Sequence, residues 1–329
     1  MSDLDVLNGG YIGVEEGKIT FVSESPPRPS MVLSNAVEVD CGDKVILPTF
    51  VDCHNHLIWG GTRVDEFYQR CQGATYQEIA SKGGGIRRTA LDTRLASDEL
   101  LLSNARKNLA ELLNNGVTAT EGKSGYALEL EGELRLLELL KQLKNDSKLR
   151  IVPTFLVHGI PDEYRSSREA FIVDVKKRLI EIKNLSLADF VDVFVDRNAI
   201  SKVEARVLLA SAKELGFKLR VHADQFSDDS SSMLAVELGV TCVDHLEFAS
   251  DEAIKALSAS DIACVLLPGA SFFSRTKVYA PARKLIDSGA IVALATDLNP
   301  GSSHIFSPAF IITLASLELG MSAEECITA

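Results

Sequence analysis

His54-Asn55-His56 sets two imidazoles two residues apart. In an extended strand such residues point to the same side, so both rings can reach one ion. Alone the pair says little, because two histidines in a barrel can simply be hydrogen-bonded core. Three more residues change that: His222, His245 and Asp297 each stand at the end of a short apolar run of strand type. Neutral imidazoles with one carboxylate suit Zn²⁺ or Fe²⁺ and leave a position for water. An ion so held brings the pKa of its water towards neutrality, and a nearby carboxylate can take the proton. Asp297 could serve as both ligand and proton acceptor.

Residues so far apart in sequence need a scaffold that gathers them. From about residue 45, β-branched runs alternate with helix-patterned segments. The runs are 45–51, 117–120, 150–156, 190–195, 219–221, 241–243, 263–267 and 291–295. Each is apolar without strict alternation, as in parallel strands buried on both faces. Helical patterns at 98–114, 131–144, 168–183, 202–215, 231–238, 251–258 and 280–288 separate most of them. Ser or Asp stands near several starts, and Gly216, Gly239 and Gly289 near several stops, the residue types that cap helices. Eightfold alternation predicts an α/β fold, a (β/α)₈ TIM barrel, with its chemistry on the C-terminal rim of the strands. His54, His56, His222, His245 and Asp297 all fall on that rim. Residues 57–97, a glycine-rich insertion after the first strand, should help to build the site. Residues 11–14 and 19–22 read as a hairpin.

The composition narrows the partners. A chain of 329 residues, 46% hydrophobic, can bury one large core, while a net charge of −12 argues against a nucleic-acid surface. No apolar run approaches the roughly 18 residues of a membrane span. The first residues have neither the basic nor the apolar part of a secretory leader. Cys41, Cys53, Cys71, Cys242, Cys264 and Cys326 form no CxxC pair, so free thiols in a reducing cytoplasm are expected. A small anionic substrate would require positive charge kept local, inside the pocket.

These residues resemble the amidohydrolase superfamily through 47–56 (LPTFVDCHNH), His222, His245 and Asp297. Within it the chain is similar to the imidazolonepropionase family of histidine degradation. The likeness lies in 60–63 (GGTR), 72–76 (QGATY), 83–87 (GGGIR), 123–126 (KSGY), 188–194 (ADFVDVF), 222–225 (HADQ), 244–247 (DHLE), 267–270 (LPGA) and 296–302 (TDLNPGS). It implies one metal, Zn or Fe, held by His54, His56, His222 and Asp297. It also implies proton transfer by Asp297 and His245, and substrate contacts from Arg63, Tyr126, His158, Gln225, Asn299, Gly301 and Ser302. The reaction implied is hydrolysis of the cyclic amide of 4-imidazolone-5-propanoate to N-formimidoyl-L-glutamate, and a homodimer is admitted. The carboxylated lysine that bridges two metals on strand four of binuclear relatives has no counterpart in 193–196 (VFVD), so the count stays at one. Another cyclic amidase or deaminase of the superfamily, or a truncated homologue without turnover, remains open as an alternative. Residues 1–44 would be one part of a small β-sandwich made from both termini, and 45–329 the barrel. The end at Ala329, inside an expected eighth helix at 322–329, implies a truncated C-terminus.

Each substrate residue has a plainer competing role. Arg63 could bridge surface carboxylates such as Asp65 or Glu66, Tyr126 could anchor its loop, backbone could cap His158, and Gln225 could brace the rim. A propionate tail favours the guanidinium fork of Arg63, and glycine at 301 lets backbone approach a ring closely. Lys123 reads as structural and His304 as surface.

Overall fold

The computed structural model describes all residues except 1–3, 29, 31–33, 75–77, 80–82 and 198. Thr75 and Tyr76 of the 72–76 motif therefore lie outside the described residues. The chain divides into two units, one of residues 1–48 and one from Thr49 onward.

In the first unit, β1 (Tyr11–Glu15) and β2 (Lys18–Ser23) pair antiparallel as the hairpin pattern predicts. Glu16 and Gly17 make the turn with φ of +49° and +75°, the left-handed pair that matches strand twist in a two-residue hairpin. Among the apolar residues of this unit, Val14, Ile19, Val37 and Val39 are each more than 60% exposed.

The second unit holds eight parallel strands in sequential order: β3 (Phe50–Asp52), β4 (Val117–Lys123), β5 (Arg150–Val157), β6 (Phe190–Phe194), β7 (Lys218–Ala223), β8 (Cys242–His245), β9 (Ala263–Leu266) and β10 (Ile291–Leu294). They form a nearly closed (β/α)₈ barrel. Its seam is joined at the C-terminal rim by a parallel bridge between Asn55 and Leu298. There the Asp297 amide donates to the His54 carbonyl at 3.1 Å, and the His56 amide to the Leu298 carbonyl at 3.0 Å.

Helices α1 (Val64–Cys71) and α2 (Ile86–Leu95) lie in the insertion after β3. The barrel helices that follow are α3 (Asp98–Asn114), α4 (Leu130–Asp146), α5 (Arg168–Asn184), α6 (Lys202–Glu214), α7 (Ser231–Leu238) and α8 (Asp251–Ser258). The side chains of Ser97, Ser201 and Ser250 cap α3, α6 and α8 by accepting from the third helical amide. On α3 the expected stripe of Leu101, Leu102, Ala105, Leu109 and Leu112 is buried against the barrel core. Among the described residues no helix is long and apolar enough to cross a membrane.

Two expectations need correction. The first barrel strand begins at Phe50, not at residue 45, because Pro48 lacks the amide a strand ladder requires. The helix that follows β10 is α11 (Pro308–Glu318), after α9 (Pro268–Ser274) and α10 (Ala282–Asp287). Its sequence, PAFIITLASLE, is apolar on most sides and shows no stripe to read. The segment at 322–329 forms a further short helix, α12 (Ala323–Thr328), with Ser322 as its N-cap.

Candidate active site

The barrel gathers the expected histidines at one end. His54 and His56 lie just past β3, His222 within β7, His245 at the end of β8, and Asp297 three residues past β10. All five are at most 3% exposed. The ligating atoms of His54, His56 and His222 lie within 4.8 Å of one another. Asp297 Oδ1 is 3.5 Å from both His54 Nε2 and His56 Nε2. The seam produces this approach, since the backbone bond that closes the barrel joins Asp297 directly to His54. Asp297 and His245 carry φ of +52° and +78°, a region side-chain-bearing residues hold only where their surroundings enforce it.

Beneath the rings lies a layer of charge absent from the sequence-derived site. Asp192 Oδ1 is 3.1 Å from His222 Nδ1, and Asp244 Oδ1 is 3.3 Å from His54 Nδ1. Lys123 Nζ reaches Asp192 at 2.5 Å and Glu121 at 2.9 Å. Arg220 forks onto Asp244 at 2.6 and 3.3 Å and donates to the Cys53 carbonyl at 2.8 Å. Asp52 accepts the amide and hydroxyl of Thr296 across the seam. The hydrogen bond between His222 and Asp192 fixes the tautomer of His222 and aims its opposite nitrogen, whereas Asp244 is near His54 Nδ1 without a hydrogen bond to it. Asp192 and Asp244 stood inside two quoted motifs, yet nothing local marks them as facing inwards.

The residues fit a metal. His54 Nδ1 and Nε2 and His56 Nδ1 are buried without a hydrogen-bond partner, although an unmet buried polar group costs about 1–3 kcal/mol. Burial first, and Lys123 next, holds both imidazoles well below their usual pKa. Burial likewise takes His222 down to about 4. The rings are therefore unprotonated, with lone pairs available, beside a carboxylate. That is the donor chemistry of a divalent ion bound by nitrogen and oxygen.

Two groups beside these rings are shifted upwards. Burial raises the carboxyl of Asp297 above the ordinary range, against the pull of His245 and His222. Burial works against a charged His245, but Glu247, 3.3 Å from its Nδ1, together with Asp297 and Asp244, outweighs it, and the net shift is upward.

Above the histidines opens a cavity of about 1560 Å³. Every sequence-derived site residue lines it except His54, which lies at its floor: His56, Arg63, Tyr126, His158, His222, Gln225, His245, Asp297, Asn299, Gly301 and Ser302. Arg63 Nε and Nη2 both bind Glu66 Oε2, at 2.8 and 2.7 Å, and both residues are buried. Its carboxylate partner is thus Glu66, inside rather than on the surface, while Asp65 pairs with Arg88. A Cβ at Gly301 would collide with Arg63 Nη1, so glycine there lets the guanidinium lie against the turn. Asn299 is committed within that turn. It accepts from the amides of Gly301 and Ser302 at 2.8 and 2.7 Å and donates to the Asp297 carbonyl at 2.7 Å. His158 Nδ1 lies 3.2 Å from the Gly125 carbonyl, and its ring stacks on His56 at 5.5 Å. Tyr126 packs 5.2 Å from His56, ring to ring. Lys123 is wholly buried and His304 exposed.

No family model matches the chain. Curated relatives do. It is 41% identical over 334 residues to an imidazolonepropionase of Solibacter usitatus (strain Ellin6076), covering 100% of this chain and 79% of that protein. It is 39% identical over 326 residues to the imidazolonepropionase of Bacillus thuringiensis (strain Al Hakam), covering 99% and 77%. Among solved structures it is similar to a guanine deaminase from C. acetobutylicum with bound guanine (18% identity, TM-score 0.66, covering 99% and 81%). A 5-methylcytosine deaminase from Klebsiella pneumoniae liganded with phosphonocytosine is similar too (16%, TM-score 0.69, covering 95% and 78%). At such low identity these two likenesses show the fold alone.

Proposed function

The chain belongs to the imidazolonepropionase family, and from that premise we propose that it hydrolyses the ring amide of 4-imidazolone-5-propanoate to N-formimidoyl-L-glutamate. The observation that carries this reading is the cavity itself. Residues from the rims of seven barrel strands and from the insertion line one cavity, with orphaned imidazole nitrogens among the histidines at its base.

His54, His56, His222 and Asp297 would hold one metal, zinc or iron. When bound, such an ion acidifies a water and polarises the carbonyl to be attacked. The chain's own groups supply the rest. Asp297, with its raised carboxyl, accepts the proton of the attacking water at a carboxylate oxygen. His245 has Nδ1 fixed by Glu247, which leaves Nε2 to deliver a proton to the departing ring nitrogen. Arg63, braced through Nε and Nη2 by Glu66, turns its remaining Nη1 edge to the propionate. His158 and Tyr126, packed over His56, exclude water from that side of the ring. Asn299 shapes the turn that brings the Gly301 and Ser302 backbone close. The six unpaired cysteines suit work in a reducing cytoplasm.

The test is direct. Metal-loaded protein is given 4-imidazolone-5-propanoate, and loss of substrate and gain of N-formimidoyl-L-glutamate are followed by mass spectrometry. A chelated sample serves as control, with guanine and cytosine as competing substrates. Turnover of the imidazolone that stops on chelation is expected. Ammonia released from guanine or cytosine, with the imidazolone untouched, would give the site to a deaminase.

A further inference from the structure

Two ion-sized positions share His222. One is formed by His54, His56 and His222, the other by Asp192, His222 and Asp244, and in each the ligating atoms lie within 4.8 Å of one another. Two candidate cation positions that share a residue could, if both were filled, make the centre bind two ions. The second position is already met by positive charge. Lys123, at the end of β4, is wholly buried, with Nζ 2.5 Å from Asp192 and 2.9 Å from Glu121. Arg220 takes Asp244 at 2.6 Å and Glu121 at 3.4 Å. Asp192 and Glu121 outweigh the burial that opposes an ammonium, so Lys123 stays charged. It does not line the cavity, and the hydrolysis above assigns it no step.

We propose that Lys123, backed by Arg220, is the protein's own second cation: by holding Asp192 it denies a second divalent ion its carboxylate and limits the centre to one metal. This rests on the metal reading of the His54, His56, His222 and Asp297 site. The physical ground is simple. A lysine ammonium is a compact point charge, and a divalent ion cannot share its carboxylate at contact distance without severe repulsion in a buried site. Lys123 is therefore a positioning residue that acts through Asp192, and its effect should show in metal count before activity.

Metal-free protein is titrated with Zn²⁺ by calorimetry, and bound zinc is counted by elemental analysis. Three chains are compared: wild type, Lys123→Met, and Lys123→Met with Asp192→Asn. One zinc is expected for wild type, a second binding event with a total approaching two for Lys123→Met, and a return to one when the freed carboxylate is also removed. If Lys123→Met does not fold without metal, excess Zn²⁺ should refold it, as circular dichroism would show, while the double variant needs no such help. One zinc per folded Lys123→Met chain, two in wild type, or failure of zinc to restore an unfolded Lys123→Met overturns the proposal. No zinc in wild type overturns the metal reading itself, and this proposal with it.

Discussion

Behind the histidines, out of contact with the cavity, Glu121, Lys123, Asp192, Arg220 and Asp244 are at most 4% exposed, and each meets an opposite charge within 3.4 Å. At its mouth, Arg87, Arg165 and Asp162 are more than half exposed and pair at 3.6 and 2.7 Å. The pairs look alike on paper but differ in consequence. An exposed pair contributes about 0–1 kcal/mol, whereas removing one partner of a buried pair costs about 3–5 kcal/mol. The buried layer holds His222 in place and tolerates little change. The mouth can vary with what must enter.

The largest effect is expected at the residues proposed to hold the metal. His54→Ala or Asp297→Asn should abolish turnover in metal-replete buffer, measured by initial rates with metal content alongside. Activity of more than a few per cent of wild type would put the centre elsewhere.

Arg63 stands between the two regions, buried like the charge layer yet lining the cavity. Losing a charge paired with substrate costs about 2–5 kcal/mol, so Arg63→Met should lower kcat/KM roughly 30- to several-thousand-fold. Lysine should rescue only partly, because a single point charge cannot hold Glu66 and the substrate at once as the branched guanidinium can. Arg63→Met also strands the buried Glu66, so stability should fall. Adding Glu66→Gln should restore the melting temperature but not the rate. Recovery of both together would reduce Arg63 to a structural partner of Glu66.

A subtler displacement comes from Gly301→Ala, whose new Cβ must push Arg63 Nη1 aside. A shift of about 1 Å at a positioning group can cost roughly 100-fold in rate. Kinetics should show that loss with zinc content unchanged, and full activity would mean the turn yields freely.

Acid tests a partly buried pair, Arg168 with Glu204. Hydrogen bonding to Arg168 first, and to Ser201 after, depresses the Glu204 carboxyl from 4.5 to about 2. Its contribution is therefore complete above about pH 4.5 and disappears as pH falls through about 2. Wild type should exceed Glu204→Gln in urea stability at pH 7, and the gap should close towards pH 2. A gap that grows on acidification would reverse the sign. Smallest of all, Arg87→Ala at the mouth should change stability by about 0–1 kcal/mol, read from the same urea curves, and a larger loss would show the mouth to be built like the buried layer.

Much of this molecule was legible in its residues. Short apolar runs between capped helices gave the eightfold alternation, because local propensity and burial pattern are written every few residues. The histidine and aspartate positions followed from their place after those runs. Three things stayed hidden. Residues 45–49 look like strand, but Pro48 removes the amide that pairing needs. Helix α11 is apolar on nearly every side, so no periodic stripe announces it.

The charge layer was hidden for a deeper reason. Lys123 and Asp192 are 69 residues apart in sequence, and Arg220 reaches the Cys53 carbonyl across 167 residues. Which charges meet depends on strand order, register and the closing of the seam at Asn55 and Leu298. A side chain's type sets what chemistry it can do. Only the closed barrel decides whether Arg63 faces Glu66 or solvent, and whether a buried lysine has a carboxylate to hold, because an isolated charge is stable in an apolar interior only beside its partner.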